Sequence, residues 1–406
     1  MAFWDRDYKG ISRRRFALGS AAAGAAAMAT AALSGCESKN KAKSTSGEPQ
    51  VVDDSSQIID ALEEYEGKDT GLTPVQSWNL PLGTVLFHSD GTWAAAMMAP
   101  ESAQHVNTLG VLSLSNGSLT TLKEDPTLGR TYSFFDVRSA TGVFAWVEID
   151  YSTRIWVLLA QPFNGGALSG DPVQLDTGDK NWEPPQFTAA GSMVIWQKMP
   201  LASGDKRSSD SHCYRWTVGD AQGTEVWKST GRFATPPRVS DGILTIAPRV
   251  HNDEGTYYGI TAVDLEDASN TKLDQLVLPA SVRPFEAVYT GEVFVFSIEA
   301  SYDSAGSLGK MGTFVGREGG PYVYFSREPS AQVAYNGTRY FIKTQSAHYM
   351  IDPTNQIIDS ISSPDRSLGF GDYPASEGST STFLTYATIR DAKGIPSGVV
   401  ARTFAI

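Results

Sequence analysis

From about residue 71 onwards, short apolar runs alternate with polar turns and show no helical periodicity. One unit recurs, in which an apolar strand, a turn ending in glycine and a strongly apolar strand follow one another. The copies are Phe87–Met97, Asp136–Glu148, Pro185–Gln197, Pro236–Pro248, Phe285–Ser297, Ala331–Lys343 and a weaker one without the glycine, Ser379–Ile389. Because glycine suits the positive φ of a hairpin turn, each copy predicts two antiparallel strands.

The turn glycines are regularly spaced along the chain. Gly91, Gly142, Gly191, Gly242, Gly291 and Gly337 are separated by 51, 49, 51, 49 and 46 residues. Units of this length have room for four strands, and repeated four-stranded units are typical of a β-propeller. We therefore predict an all-β fold over residues 71–406, a β-propeller of seven four-stranded blades. A ring of six blades and a pair of β-sandwiches are the alternatives.

The C-terminal unit is one strand short of a complete blade. It ends after a single further strand, Gly398–Ile406, which would leave an open sheet edge. We expect the N-terminal segment Val75–Leu80 to supply the missing outer strand and to close the ring.

Two segments precede the repeats. Residues 37–53 are mostly small and polar, which predicts a flexible tether. Residues 54–70 carry Ile58, Ile59, Leu62 and Tyr65 at helical spacing, behind residues suited to N-capping. This pattern predicts a short helix.

The first 36 residues resemble a twin-arginine signal peptide that ends in a lipobox. Arg13 and Arg14 precede a Phe and an apolar residue, an alanine-rich run follows, and Leu33-Ser34-Gly35-Cys36 ends it. The resemblance implies export, cleavage before Cys36 and a lipid anchor on that cysteine. We therefore expect the protein to be anchored at the extracytoplasmic face of the cell membrane.

Charge and cysteine content narrow the function classes. Without residues 1–35 the chain keeps 28 Lys and Arg against 43 Asp and Glu, a net charge of −15. Such an excess argues against nucleic acid as a partner and against an electrostatic hold on anionic lipid. Once Cys36 is lipidated only Cys213 remains, so no internal disulfide is expected.

Candidate binding residues fall in loops that a propeller gathers on one face. The top face, as the term is used below, is formed by the loops before each first strand and between each second and third strand. Its candidates are Arg138, Glu148, Trp182, Glu183, Arg232, Arg249, Arg283 and Tyr373. Alternating basic, acidic and aromatic groups around a channel mouth would suit a carbohydrate, a peptide or a small anion. The histidines lack ligand spacing and no nucleophile motif occurs, so neither a metal nor a cofactor is expected.

The repeats resemble the seven-bladed propellers of the WD40-like and TolB-like type, and the chain as a whole resembles uncharacterised twin-arginine lipoproteins of that shape. The Trp-Asp dipeptide of WD40 blades is absent from the repeats. The resemblance implies a fold and no activity. Two functions stay open: an extracytoplasmic binding or scaffold protein with an unknown protein, peptide or glycan ligand, and a hydrolase or lyase acting on glycan or peptide at the channel mouth.

Overall fold

The computed structural model describes residues 48–406 except 53, 103–104, 252–254, 268, 346 and 366–371. The leader, with Arg13, Arg14 and Cys36, lies outside the described residues. In the described part of the chain strands predominate, and they pair almost entirely in antiparallel fashion. The all-β prediction is confirmed.

The N-terminal segment predicted as a helix is divided among several short elements. Its elements are a 3-10 turn (Ser55–Gln57), strand β1 (Ile58–Asp60), helix α1 (Ala61–Glu64) and strand β2 (Glu66–Gly67), and strand β3 (Gln76–Leu80) follows the segment. Helix α1 is only one turn long, with the Asp60 carboxylate accepting a hydrogen bond from the Leu62 amide at 3.0 Å. The prediction of a helix over 54–70 is wrong in extent. So short a helix is marginal by itself, and pairing with two sheet edges satisfies the backbone instead.

Three sheets follow in chain order. Sheet 1 consists of β4 (Val85–Asp90), β5 (Trp93–Met98), β6 (Thr108–Ser113) and β7 (Leu119–Lys123). Sheet 2 consists of β8 (Ser133–Ala140), β9 (Val143–Asp150), β10 (Ile155–Asn164), β11 (Ala167–Leu168) and β12 (Val173–Gly178). Sheet 3 consists of β13 (Gln186–Ala190), β14 (Met193–Lys198), β15 (Ser211–Thr217) and β16 (Thr224–Ser229).

Three more sheets repeat this arrangement. Sheet 4 consists of β17 (Arg238–Ser240), β18 (Ile243–Ile246), β19 (Arg249–His251), β20 (Tyr257–Asp264) and β21 (Lys272–Val277). Sheet 5 consists of β22 (Glu286–Tyr289), β23 (Phe294–Ile298), β24 (Gly312–Gly316) and β25 (Tyr322–Phe325), with a 3-10 turn at Ser307–Gly309. Sheet 6 consists of β26 (Ala334–Tyr335), β27 (Tyr340–Lys343), β28 (His348–Asp352) and β29 (Ile357–Ile361).

Sheet 7 combines both ends of the described chain. It consists of β30 (Tyr373–Pro374), β32 (Thr382–Arg390), β33 (Pro396–Ala405) and the N-terminal strand β3, which pairs antiparallel with β33. The predicted pairing of the N-terminal segment with the last unit is therefore present. The first strand of this unit is β30, ahead of the Ser379–Ile389 repeat in which we expected it. Strand β31 (Gly378–Ser379) instead runs parallel to β26 of sheet 6.

Buried apolar clusters lie between neighbouring sheets. Phe144 packs with Val111 between sheets 2 and 1, and Phe404 packs with Phe341 between sheets 7 and 6. Another cluster joins sheets 7 and 1 through side chains that include Leu384. This face-to-face packing of four-stranded sheets is that of a β-propeller, and the β-propeller prediction is confirmed. Sheets 1 to 6 are blades built from consecutive strands; a seventh blade that closes the ring stays a prediction.

The turn glycines lie where the repeat placed them. Gly91, Gly191 and Gly242 occupy first hairpins with positive φ of 68°, 56° and 77°, a conformation that glycine adopts without strain. Because successive strands run in opposite directions, these hairpins lie on one face of the propeller. The loops that enter each first strand lie on the other face, the top face.

A strap crosses the rim of two blades. Residues 54–70, here called the N-terminal strap, place β1 parallel to β25 of sheet 5 and β2 parallel to β29 of sheet 6. Ala61 is fully buried in the cluster between these two sheets. The backbone amide of Thr70 and its hydroxyl both donate to the Asp359 carboxylate, at 2.9 and 2.6 Å. The predicted tether also meets the body at its end, where the Gln50 amide donates to the Val277 carbonyl at 2.8 Å.

Candidate functional site

Buried charged side chains meet on the propeller axis, where the innermost strands converge. Arg238, on β17, is 2% exposed and forms a two-pronged contact with Glu286 of sheet 5, at 3.0 and 2.8 Å. Its third nitrogen donates to Glu377 at 2.5 Å. Glu377 also accepts from the Thr188 hydroxyl at 3.0 Å and lies 3.4 Å from His88. We call Arg238, Glu286, Glu377, Thr188 and His88 the axial network.

Glu377 reaches the axis on a segment that crosses it. Residues 375–380 hydrogen-bond sheet 1 through Ala375, whose carbonyl accepts from the Ser89 amide at 2.9 Å, and sheet 4 through the Ser240 hydroxyl at 2.9 Å. Gly378 lies so close to Ser240 that a Cβ there would stand 3.0 Å from the serine Cβ. This segment, the axial plug, crosses the middle of the propeller. The cavity beside Arg238 measures about 10 Å³ and holds at most one water.

The charges of the axial network stabilise one another. Burial alone lowers the pKa of the Arg238 guanidinium, but Glu286 and Glu377 outweigh it and hold that pKa above its ordinary value. Burial raises the pKa of Glu377, yet Arg238, then His88 and Arg138, bring it down to about 2. Arg238, Glu286, Glu377 and Thr188 make these hydrogen bonds within the protein, as in a structural network.

Two of the sequence-predicted candidates pair on the top face. The Arg232 guanidinium donates to Glu183 at 2.5 Å and also to the Pro200 carbonyl, joining the loops before β13 and β17. Trp182 lies beside them, half-buried, with the Lys198 and Lys206 amines 5.5 and 5.1 Å from the centre of its ring. The structure thus brings these three predicted residues together.

Two other candidates are used inside the fold. The Glu148 carboxylate is fully buried and accepts from the amides of Thr127 and Leu128 at 2.7 and 2.9 Å, and from the Trp146 indole at 2.8 Å. Arg138 is 4% exposed, bonded to Asp136 at 2.5 Å and stacked near aromatic rings at the axis. Neither side chain lines an open mouth.

The remaining candidates stand apart from each other. Arg283 is exposed, and the Arg249 side chain passes within 2.7 Å of the position that a Cβ on Gly231 would take. Tyr373 lies half-buried near sheet 6. The eight predicted residues therefore form no single pocket at the channel mouth. A groove of about 290 Å³ lies on the opposite face between sheets 7 and 1, and its lining, which includes Leu114 and Thr382, carries no charged group.

The sequence analysis missed the axial network, although a signal was present. Arg138 and Arg238 each stand four residues before a turn glycine, inside an apolar first strand. A charge repeated at that position marks the convergence of the inner strands. Glu377 gave no such signal, because it lies outside the repeated unit.

A second buried cluster, also missed, lies between sheets 6 and 7. Lys343, His348 and Asp372 are each at most 1% exposed, and Arg402 pairs with Asp372. The Lys343 amine stands 5.6 Å from the centre of the Tyr373 ring. Neither ring nitrogen of His348 finds a hydrogen-bond partner among the described residues. We call Lys343, His348, Asp372 and Arg402 the inter-blade cluster.

Burial perturbs the ionisation of this cluster. It lowers the pKa of the Lys343 amine to about 8, with Asp372 opposing, and raises the pKa of Asp372, with Arg402 opposing. Burial and the two neighbouring cations, Lys343 and Arg402, lower the pKa of His348 well below its ordinary value, so the imidazole is neutral at pH 7. An amine with a lowered pKa, here Lys343, in the same cluster as a permanent cation, here Arg402, is an arrangement found in active sites. In this protein both side chains are closed to solvent.

We expect Lys343→Met to be more stable than the parent protein at pH 7, by about 1–3 kcal/mol, because a buried ammonium loses hydration that methionine does not need. Between pH 8 and 10.5 the unfolded parent binds more protons than the folded one, so its stability rises with pH. The difference between the two proteins should therefore shrink over that range. Urea unfolding at several pH values measures it, with the exposed Lys310→Met as control. A variant less stable at pH 7 would show that the contact with Asp372 outweighs the burial.

No group of three or more His, Cys, Asp or Glu in the described part of the chain could hold a metal ion. Across the same residues, no helix is long and apolar enough to cross a membrane. Cys213 is buried and unpaired with another cysteine.

No family model matches the sequence, and no curated protein matches it. Among solved structures, one of prolyl endopeptidases has a TM-score of 0.52 at 10% identity and covers 80% of this chain. The β-propeller domain of the Trilobed protease from Pyrococcus furiosus, described as having an open velcro topology, has a TM-score of 0.51 at 8% identity and covers 82% of this chain and 94% of that one. Oligogalacturonate lyase from Vibrio parahaemolyticus has a TM-score of 0.45 at 11% identity, covering 84% of this chain and 96% of that one.

The two similarities with TM-scores above 0.5 support the fold class, a β-propeller, and at 10% and 8% identity they show no more than the fold. The chain spans only 50% of the prolyl endopeptidase chain that it matches.

Proposed function

We propose that this chain is a β-propeller lipoprotein, anchored through Cys36 at the extracytoplasmic face of a membrane, which binds a protein, peptide or glycan ligand on its surface. The observation that carries the binding function is the grouping of Arg232, Glu183 and Trp182 on the top face. Because the axial plug and the axial network fill the middle of the ring, a ligand has to bind on the face of the propeller rather than pass through it.

The number of blades and the closure of the ring are part of the same proposal. Sheet 7 would be the seventh blade and would close the ring through β3, since β3 pairs with β33 and an apolar cluster joins sheets 7 and 1. The alternative is six blades with sheet 7 as an appended sheet. An experimental structure distinguishes the two, because only the closed ring keeps the spacing between sheets 7 and 1 equal to that of the other neighbours.

Export and anchoring are tested at the leader. We expect Arg13→Lys with Arg14→Lys to leave the protein in the cytoplasm, and Cys36→Ser to release it from the membrane after export, because one substitution removes the signal and the other the acylated thiol. Fractionation and labelling with radioactive palmitate measure both. A parent protein that incorporates no palmitate, or a Cys36→Ser protein that stays in the membrane fraction, would contradict the anchor.

Ligand binding is tested by thermal unfolding of the purified protein in the presence of peptides, neutral glycans and acidic glycans. A ligand at a hundredfold excess over its Kd stabilises the folded state by about 2.7 kcal/mol. We expect one class to raise the unfolding temperature and Arg232→Met, on the top face, to weaken that effect. An unfolding temperature that none of these ligand classes changes would contradict a peptide or glycan ligand. A protein partner would then be the ligand that still fits the proposal.

The second candidate function is a hydrolase or lyase acting on glycan or peptide. The inter-blade cluster favours it, since the lowered pKa of Lys343, about 8, leaves part of its amine neutral and able to accept a proton at mildly alkaline pH while Arg402 neutralises a carboxylate. The structural neighbours with TM-scores above 0.5 are peptidases by name, so they fit this candidate better than the first. Turnover of uronate-containing glycans or peptides that is lost in Lys343→Met would establish it; a full rate in that variant would exclude the cluster as the active site.

A further inference from the structure

Exposed apolar side chains are unevenly distributed over the propeller. Ten large apolar residues are exposed in the described part of the chain. Six of them lie in loops or strand ends of the top face, and all six belong to three neighbouring sheets, 7, 1 and 2. These six, here called the apolar tips, are Leu82, Val85, Leu128, Tyr151, Ile155 and Ile395.

The position of each tip follows from strand direction. Leu82 and Leu128 lie in loops that lead into first strands, β4 and β8, whereas Tyr151 and Ile395 lie in hairpins between second and third strands. Loops of both kinds lie on the top face. Apolar residues concentrated on one part of one face usually mark a contact surface.

Three of the tips lie in loops whose conformation is fixed by hydrogen bonds to a carboxylate. The Asp150 carboxylate accepts from the amide and the hydroxyl of Ser152, at 2.8 and 2.6 Å, and fixes the turn that carries Tyr151. Asp391 does the same for the Ile395 hairpin, accepting from the amides of Lys393 and Ile395 at 2.8 and 2.9 Å.

Glu148 fixes the Leu128 loop through its two amide contacts. This predicted channel-mouth residue therefore positions a tip. Because each loop is fixed by a carboxylate, its apolar side chain is held in water rather than folded back against the body.

Basic residues accompany the tips. Arg130 follows Leu128, Arg154 adjoins Ile155, and Lys393 lies beside Ile395; all three are exposed. Residues 81–85, 124–132, 150–155 and 390–396, which carry the tips, contain four basic and four acidic residues. Two of those acids, Asp150 and Asp391, are engaged with backbone amides. These loops are thus neutral in a chain whose part beyond residue 35 carries a net charge of −15.

We propose that the apolar tips rest on the phospholipid surface, so that the propeller contacts the membrane through the part of its top face formed by sheets 7, 1 and 2, and the Arg232 side of that face stays open to a ligand. The inference rests on the anchoring proposed above. Separate apolar tips on loops without net charge suit the boundary between headgroups and acyl chains, whereas a protein partner would favour one continuous apolar patch. The net negative charge does not oppose this contact, because it lies outside the tip loops.

The tether is long enough for this orientation. Thirteen residues separate Cys36 from Gln50, and extended chain spans about 3.3–3.6 Å per residue, or roughly 45 Å in total. Blade strands of six to eight residues are about 20–27 Å long. The anchor can therefore reach the bilayer from the rim while the apolar tips lie on it.

Single cysteines carrying an environment-sensitive dye test the contact on the full, lipid-anchored protein. Leu82→Cys and Tyr151→Cys place the dye on the tips, and Leu273→Cys is the matched control. Leu82 and Leu273 are both 48% exposed, but Leu273 lies on the outer strand of sheet 4. Cys213 is fully buried and does not compete for the label. The protein is reconstituted in phosphatidylethanolamine–phosphatidylglycerol vesicles whose acyl chains carry bromine as a quencher.

We expect quenching at positions 82 and 151 to exceed that at 273 by about threefold or more, because only acyl-chain contact brings the dye near bromine. A protein that floats with the vesicles but shows equal quenching at all three positions overturns the tip contact and leaves the anchor standing. The tip dyes could instead be shielded from water in native membranes and yet unquenched in vesicles of pure lipid. That result would overturn the proposal that the tips contact lipid and would indicate a protein partner. A protein that does not float with the vesicles disproves the lipid anchor. In that case, quenching of the dye at position 82 on added vesicles would still support the contact between the tips and lipid. Absence of that quenching would overturn the tip contact as well.

Discussion

Arg238→Met is expected to lower the free energy of unfolding by about 3–5 kcal/mol, because it leaves two buried carboxylates without their cation. Glu286 and Glu377 both bond this guanidinium, and all three side chains are buried. Methionine fills a similar volume, so loss of charge rather than a cavity causes the effect. Urea unfolding at pH 7, followed by tryptophan fluorescence and circular dichroism, measures it.

Arg283→Met is the matched control. It removes the same charge from an exposed position and should change stability by less than about 0.5 kcal/mol. Adding Glu286→Gln and Glu377→Gln to Arg238→Met should recover part of the loss, since no buried charge then lacks a partner. A loss below about 1 kcal/mol in Arg238→Met would contradict a structural role for the axial network.

The same network predicts an acid transition. The pKa of Glu377 is lowered from 4.5 to about 2, so the unfolded chain binds a proton in this range that the folded chain does not. Stability from Glu377 is therefore complete above pH 4.5 and is lost as the pH falls towards 2. Glu377→Gln should flatten this part of the pH profile.

Ala61→Asp is expected to detach the N-terminal strap. Ala61 is fully buried between sheets 5 and 6, and an unpaired carboxylate there costs several kcal/mol. The strap can leave the rim without unfolding the blades, because each of its strands pairs with one outer edge only. Trypsin should then cut after Lys68, whose amide bonds the Ile358 carbonyl in the docked state.

Rates of cleavage after Lys68 distinguish the outcomes. We expect Ala61→Asp to be cut at least about tenfold faster than the parent, since a population shift of 1.4 kcal/mol already gives that factor. Ala392→Asp makes the same change at an exposed hairpin position and should leave the rate unchanged. Global unfolding of Ala61→Asp, seen as cleavage throughout the chain, would show that the strap and the blades form one cooperative unit.

Much of the architecture could be predicted from the sequence because it depends on local chemistry. The alternation of residues and the glycine at each hairpin report strand and turn within a few neighbouring positions, as at Gly142 and Gly242. The pairing of β3 with β33 followed from counting strands in the last unit. The strap was mistaken for a helix because Ile58, Ile59, Leu62 and Tyr65 fit helical spacing, whereas in the structure they meet two different sheets.

The candidate site was predicted less well. The channel-mouth residues were chosen by loop position, and loop position does not tell in which direction a side chain points. Glu148 turns inward to hold a loop, Arg138 joins the axis, and only Glu183, Arg232 and Trp182 meet on the top face.

The sequence alone determined the repeat, the all-β class, the acidic balance and the resemblance of the leader to an export signal. These features depend on composition or on residues that are close together in the sequence. Only the tertiary structure decided which charges meet. Thr188 and Glu377 are 189 positions apart, and Arg238 and Glu377 are 139 apart. Contacts at such separations depend on how the sheets close around the axis. The physical reason is that strand formation depends on the local pattern of apolar and polar residues, whereas pairing between distant buried charges depends on how all the sheets pack together.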